Sequence, residues 1–201
     1  MSVSLVVLPS QYAHTKLQKK ILQGIYPNYD HRLKTAKGAG QKRPDIHFTD
    51  LKNELRYAAA SILRDEKDIS AITCVHYHDG YKNHEERHAL YISMVESVVT
   101  SAIDRYEDLE LFIAFISAFK GQTSYQEPLR QRLEKIRSEF SRRRGFRKLK
   151  IYFPTAKMPG VQIADFYAGA LREHCLSQRS EEEKSGAFKL IEHHYVQQNY
   201  A

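Results

Sequence analysis

The sequence predicts a single α/β domain in which a mixed sheet is flanked by helices. Its 201 residues suit about one domain, and 42% hydrophobic with 27% charged residues is an ordinary globular composition. Short apolar runs of strand length alternate with longer runs whose apolar residues recur at helical spacing. This alternation predicts one α/β layer domain over 1–201, with a basic loop at 26–44 and a C-terminal appendage at 178–201.

Four strands are predicted from apolar runs bounded by turn residues. The first is continuous in apolar residues, which favours an interior strand, and the third is apolar on both faces, which favours helices on both sides. The strands are expected at 3–8, 71–77, 109–116 and 148–153. Helices are expected at 11–25, from Thr49 or Asp50 to Leu63, at 85–106, at 127–144, at 161–177 and at 188–195.

Several classes of protein are disfavoured by what the sequence lacks. No apolar run reaches the roughly 20 residues of a membrane span, and the first residues do not resemble a secretory leader. Cys74 and Cys175 form no CxxC pair, so free thiols and a cytoplasmic protein are expected. Cys74, inside a strand, is expected to be a core residue. The absence of GxGxxG, GxxxxGK[ST] and GxSxG disfavours dinucleotide, P-loop and α/β-hydrolase sites.

The positive charge is concentrated in two segments. The net charge is +7, and residues 130–150 contain ten basic and two acidic side chains, with a second basic stretch at 16–43. Clustered arginine suits phosphate recognition, so nucleic acid, DNA or RNA, is the expected partner. A solvated helix face with a basic loop is the alternative. The candidate phosphate contacts are Arg137, Arg142, Arg143, Arg144, Arg147 and Lys148.

A histidine-rich segment follows the second predicted strand. His84 to His88 reads H-E-E-R-H, which literally satisfies the H-E-x-x-H pattern of zinc proteases, and His76 and His78 lie just upstream. That interpretation needs a third ligand and an embedded helix. A structural metal, or a polar helix start with surface histidines, is the alternative.

The most specific motif lies on the helix predicted at 161–177. Gln162, Asp165, Gly169 and Arg172 are spaced to form one stripe, and Gly169 leaves room beside the acid. An acid near the start of an apolar helix can project into a cleft. It can also simply stabilise the positive end of the helix dipole.

The segment from Gly160 to Ala170, GVQIADFYAGA, resembles the signature of the family catalogued as domain of unknown function 3800, whose members resemble RNase H-like nucleases. The segment DIHFTDL, from Asp45 to Leu51, resembles the stretch before that family's first long helix. The resemblance implies an RNase H-like mixed sheet. It also implies a metal-binding role for Asp165, with Asp45 where the family often has Glu and with His47 at a matching position. The nuclease hypothesis that follows has a catalytic set of Asp165, Asp45 and His47, with Asp165, Asp45 and Glu173 as ligands for Mg²⁺ or Mn²⁺.

Two family acids have no counterpart in this sequence. The family usually begins with a strand that carries Asp-Glu-Ser, whereas this chain corresponds from the family's second strand onward, and no acid follows the run from Phe112 to Ser117. Two-metal hydrolysis needs a shared set of carboxylates around ions about 4 Å apart. The expected function is therefore a degenerate or partner-completed metal-dependent nuclease. The alternative is a non-catalytic nucleic-acid-binding or complex-forming subunit.

Two structural expectations follow from the resemblance. Asp165 should lie within about 8 Å of Asp45 or His47, because ligands of one ion must converge. Loss of the first family strand should also leave the strand at 3–8 with one open edge. Such an edge pairs readily with another chain, so a homo-oligomer or an obligate protein partner is expected.

Overall fold

The structure is a computed structural model that describes residues 1–8, 12–31, 45–76, 83–106, 111–116, 123–144, 148–154, 157–177 and 186–200. Within these ranges, the side chains at 111–115, 141–144, 148–149, 177 and 199–200 are outside the description. The strands are β1 (Ser2–Val7), β2 (Ser70–Val75), β3 (Leu111–Phe115), β4 (Lys148–Tyr152) and β5 (Tyr195–Tyr200). The helices are α1 (Ala13–Ile25), α2 (Asn53–Arg64), α3 (His84–Arg105), α4 (Gln126–Arg144), α5 (Pro159–Ser177) and α6 (Ala187–Ile191).

The strands form one three-stranded mixed sheet and one parallel pair. The three-stranded sheet has the order β1-β2-β5, with β2 antiparallel to β1 and parallel to β5, and β3 pairs with β4. The predicted mixed α/β class is confirmed at this level. The prediction that residues 3–8 form an interior strand is wrong for the described part of the chain, where β1 pairs with β2 alone. Both faces of β1 pack against core residues, which explains its apolar run, whereas only one of its edges is paired with another strand.

Helices cover both faces of the three-stranded sheet. Val3 and Leu5 pack towards α3, whereas Val6 and Leu8 pack towards the opposite face, as the alternation of a strand requires. The face under α3 and α4 is filled by apolar residues such as Met94, Val98, Leu129 and Leu133. The other face lies under α1, α2, α5 and α6, with Ile21, Leu63, Phe166 and Ile191 at its centre.

The C-terminal segment differs most from its prediction. The helix expected at 188–195 ends at Ile191, and Tyr195 begins β5 beside β2. Ala71 and Ile72 of β2 are completely buried, so the second edge of this strand needs a hydrogen-bonding partner, which β5 supplies. Phe188 and Ile191 are also buried in the core. Residues 186–200, the described part of the predicted appendage, are therefore an integral layer of the domain.

Local sequence signals explain where α3 begins. Asn83 has extended backbone dihedrals, and its side-chain oxygen accepts a hydrogen bond of 2.8 Å from the Glu86 N–H, which caps the helix. Glu85 and Glu86 add favourable negative charge to the first turn.

Among the residues that the structure describes, no helix combines the length and apolar character needed to cross a bilayer.

Candidate functional site

The motif helix α5 docks the segment that connects to α2. Gln162 is only 2% exposed, and its side-chain oxygen accepts hydrogen bonds from the Ile46 N–H at 3.3 Å and from the Gln18 side-chain amide at 2.6 Å. Since a buried backbone N–H without a partner is costly, this amide oxygen fixes the start of the segment. Gln162 thus has a clear positioning role.

Asp165 lies one turn further along the same helix and holds the next two residues. Its Oδ2 accepts a hydrogen bond of 3.1 Å from the Phe48 N–H and lies 3.3 Å from Nδ1 of His47. The side chains are 45% and 27% exposed for Asp165 and His47. The predicted convergence of Asp165 and His47 is confirmed as geometry. A carboxylate in this position orients the imidazole ring through one nitrogen and leaves the other ring nitrogen to act elsewhere.

Gly169 continues the stripe and allows close contact with Phe48. A Cβ atom built at position 169 would lie 2.3 Å from Cγ of Phe48, which no real contact permits. Phe48 is buried and makes an edge-to-face contact with Phe166, with ring centroids 5.3 Å apart. The glycine of the motif is thus explained by packing.

Glu173, and not the neighbouring Arg172 that was predicted to end the stripe, faces the 46–56 segment and forms an ion pair with Arg56. Its Oε2 accepts a hydrogen bond of 3.0 Å from Arg56 Nη1, and both side chains are 19% exposed. Arg56 also donates through Nε to the Phe48 carbonyl at 2.9 Å, and its guanidinium carbon lies 4.4 Å from the centre of the Phe48 ring. Glu173, predicted as a metal ligand, is therefore engaged two turns away from Asp165.

Arg56 was not among the predicted site residues. The signal that could have identified it is its spacing in α2, where positions 56, 59 and 63 share one face and Ala59 and Leu63 are completely buried. An arginine on the core side of a helix requires a partner for its charge. Asp45, another predicted residue, is half-buried at the start of the same segment, one residue before the Gln162 contact.

A groove opens beside this segment. It has a volume of about 210 Å³ and lies along Ser2–Leu5 of β1, between Tyr91–Val99 of α3 and Val161–Ala168 of α5. Asp165 and His47 are part of its wall, and Ile116, just after β3, also lines it. The Asp165–His47 pair is therefore accessible from a cleft that is otherwise mostly apolar.

The acids of this region do not fit a two-metal centre by themselves. Within the described ranges, no group of three or more His, Cys, Asp or Glu side chains is placed to hold a metal ion. Asp165 is hydrogen-bonded to the 47–48 backbone segment, and Glu173 is paired with Arg56. Two of the three predicted Mg²⁺ or Mn²⁺ ligands are thus engaged in separate structural contacts.

The predicted phosphate contacts cluster near the end of α4. Arg137 donates to the Glu134 carboxylate at 2.6 Å and is about one third exposed. The backbone of Arg142, Arg143 and Arg144 forms the last turn of α4, and Lys148 begins β4, but these four side chains lie outside the described residues. Arg147 and residues 32–44 of the basic loop also lie outside them.

The described histidines of the histidine-rich segment lie at the start of α3 and after β2, and Cys74 lies inside β2. His84 and His88 share the start of α3 with ring centroids 6.5 Å apart, and His88 lies 3.4 Å from the Ser124 hydroxyl. His76 directly follows β2, and His78 is outside the described residues. Cys74 is buried in β2 as predicted, and burial raises the pKa of its thiol.

Comparison with protein-family models, with curated proteins and with solved structures gives no match to this chain. The family resemblance of the α5 motif therefore stays a prediction.

Proposed function

We propose that this chain is a nucleic-acid-associated protein of RNase H-like fold whose Asp165–His47 pair belongs to a degenerate metal-dependent nuclease site. The observation that carries the proposal is the position of Asp165. It projects from a helix packed on a mixed sheet, contacts His47 and faces a groove at the edge of that sheet. The element order and the α5 motif support the RNase H-like assignment.

The charge distribution supports nucleic acid as the partner. The net charge of +7 is concentrated in and after α4, where arginines end the helix and Lys150 of β4 is exposed. Some positive charge at a helix C-terminus is explained by the helix dipole. Ten basic groups in 21 residues exceed that requirement, and guanidinium groups bind phosphate through paired hydrogen bonds.

The engagement of the acids supports a degenerate site. Phosphodiester hydrolysis with two metal ions requires carboxylates that are shared between the ions. Asp165 accepts the Phe48 N–H and Glu173 pairs with Arg56, so both acids stabilise the 46–56 segment. The motif residues thus act through their contacts with this segment.

Nucleic-acid binding is tested by its dependence on salt. Fluorescence anisotropy of labelled single-stranded RNA and double-stranded DNA is measured with the full chain at several salt concentrations. If about four to six phosphates are neutralised, log affinity falls against log salt with a slope of roughly −3 to −5. Replacing Arg142, Arg143 and Arg144 by Ala flattens this slope by about 2 or 3.

A matched variant separates specific contacts from total charge. Lys52, Lys67 and Lys189 are exposed and lie outside both basic segments, so K52A/K67A/K189A removes the same charge elsewhere. This variant keeps the parent slope within about 1 unit. Equal effects of the two triple variants, or binding that does not depend on salt, would contradict the proposed binding surface.

A partner-completed nuclease is the second candidate, and the exposure of Asp165 in the groove favours it. The parent and Asp165→Asn are incubated with labelled RNA and DNA in Mg²⁺ or Mn²⁺. A degenerate site, or a site that still lacks its partner, predicts equal, background cleavage by both proteins. Metal-dependent cleavage that is lost in Asp165→Asn establishes an active site and overturns the degenerate interpretation.

A further inference from the structure

The open edge of β1 faces the groove beside Asp165. Met1 and His76 exchange two backbone hydrogen bonds, so the register places Val3, Leu5 and Val7 in hydrogen-bonded pairs with β2. In an antiparallel ladder the alternate residues direct their N–H and C=O groups away from that partner. Ser2, Ser4 and Val6 therefore direct their backbone groups away from β2. Within the described ranges, no strand pairs with this edge.

Helices rise on both sides of this edge. Val95 and Val98 of α3 line one wall of the groove, and Ala164 and Ala168 of α5 line the other. Ser2–Leu5 line the groove over a length of roughly 13 Å at about 3.3 Å per residue, which matches one short strand. An isolated extended segment needs only the width of one strand beside β1, whereas a second folded copy would also have to avoid α3 and α5.

We infer that this groove binds an extended segment of another polypeptide, which adds to β1 as a further strand. Main-chain hydrogen bonds to Ser2, Ser4 and Val6 supply affinity, and the two walls select alternating side chains. The side facing α3 accepts branched apolar residues. The side facing α5 accepts small or hydroxyl-bearing residues beside Ala164 and Ala168.

The charged groups of the groove indicate which side chains the bound segment carries. Asp165 places a carboxylate in the wall, and His47 is the described side chain beside it that can carry positive charge. A hydroxyl or basic side chain opposite Asp165 therefore complements the groove, whereas an acid there is repelled. This inference goes beyond the proposed function, because it holds whether or not the protein binds nucleic acid.

The test fuses a strand to the full chain. The segment Thr-Val-Thr-Val-Thr is joined to Met1 by a short Gly-Ser linker, and a control fusion carries Thr-Pro-Thr-Pro-Thr, in which the prolines lack the N–H needed for pairing. The alternating fusion raises the melting temperature by about 5 °C above the control fusion. It also slows hydrogen exchange of the Ser4 and Val6 amides by about tenfold or more.

A blocking variant locates the strand in the groove. Ala164→Leu adds a side chain to the α5 wall and removes the gain of the alternating fusion, while its own melting temperature without the fusion stays within about 2 °C of the parent. Equal melting temperatures of the two fusions, or a gain that persists in Ala164→Leu, overturns the inference.

Three further outcomes are distinguishable. If the unfused parent is a dimer whose Ser4 and Val6 amides are already protected, a second copy covers the edge and the inference of an isolated segment is wrong. If the alternating fusion is stabilised but the parent binds no nucleic acid, only the proposed function fails. Salt-dependent binding without any gain from the fusion contradicts this inference alone.

Discussion

The two sides of α5 have different surroundings. On the side of the 46–56 segment, Gln162, Asp165 and Glu173 hold the segment through Ile46, Phe48 and Arg56, and Gly169 lets Phe48 approach. On the side of β1, small residues such as Ala164 and Ala168 border an open groove. The polar residues of the motif thus explain the connection between helix and segment, while the groove lies beside them.

Gly169 provides the most direct test of the packing between α5 and the 46–56 segment. Gly169→Ala places a Cβ 2.3 Å from Cγ and 2.6 Å from Cβ of Phe48, atoms close to the backbone that cannot move freely. We expect the free energy of unfolding to fall by about 3 kcal/mol, because overpacking exceeds the gain in helix propensity. Urea denaturation of the full chain measures it.

Gly160→Ala is the matched control, since its new Cβ would lie 3.7 Å from Cβ of His14, an ordinary contact. It should change stability by no more than about 0.5 kcal/mol. A Gly169→Ala protein as stable as the Gly160→Ala protein would show that the contact with Phe48 is not tight.

The second-largest effect is expected at Gln162. Gln162→Leu leaves the buried Ile46 N–H without its acceptor and should lower the free energy of unfolding by about 2 kcal/mol. Gln18→Leu removes only one donor to the same oxygen, at a half-buried position, and should lower it by less than about 1 kcal/mol. A reversed order in thermal and urea unfolding contradicts the assigned role of the Ile46 contact.

The Arg56–Glu173 pair offers a finer comparison. A double-mutant cycle with Arg56→Ala and Glu173→Ala should give a coupling energy of about 1 kcal/mol, because the two side chains are mostly buried and directly paired. Arg56→Ala alone should be the more damaging change, since Arg56 also donates to the Phe48 carbonyl. Additive single effects would show that the pair contributes nothing as a pair.

The smallest expected effect is a pH dependence at the contact between the middle of α5 and His194. Tyr167 on α5 hydrogen-bonds His194 at 2.6 Å, and burial, followed by the charge of the neighbouring His193, lowers the pKa of His194. Glu66 acts in the opposite direction. The pKa of His194 in the folded protein lies below the unfolded value of about 6.5. The contribution of this group to stability is therefore fully present above about pH 6.5 and is lost as the pH falls through the folded pKa.

His194→Gln should therefore flatten the decline in unfolding free energy between about pH 7 and pH 5. Part of the slope should persist, since burial also lowers the pKa of His14. A variant with the same slope as the parent would assign the acid sensitivity to other groups.

The apolar strands were predictable because continuous apolar runs of strand length leave a strong signal in the sequence, and in β2 Ala71 to Val75 are all buried. The runs predicted at 71–77 and 109–116 correspond to β2 (Ser70–Val75) and β3 (Leu111–Phe115). β5 was not predicted, because Tyr-Val-Gln-Gln-Asn-Tyr is half polar and has no clear alternation. It becomes a strand because the buried edge of β2 needs its hydrogen bonds, which is a long-range condition.

The candidate site was predictable only in part. Spacing on α5 brought out Gln162, Asp165 and Gly169, and the resemblance added His47, which contacts Asp165. The partners of Gln162 and Glu173 could not be obtained in this way, because they depend on how the 46–56 segment crosses the helix. The roles of the site residues in catalysis or binding stay predictions.

The position of β5 has a consequence for the order of folding. Tyr195 pairs with Ala71, so the central strand acquires its parallel neighbour from a distant part of the chain, whereas β1 reaches it earlier as a nascent polypeptide emerges. Contacts between such distant residues close slowly because the intervening loop must first lose its entropy. During that interval β2 has one unpaired edge and an incomplete cover. Aggregation during synthesis or refolding should therefore start at Ser70–Val75, and variants that weaken Phe188 or Ile191 should increase it.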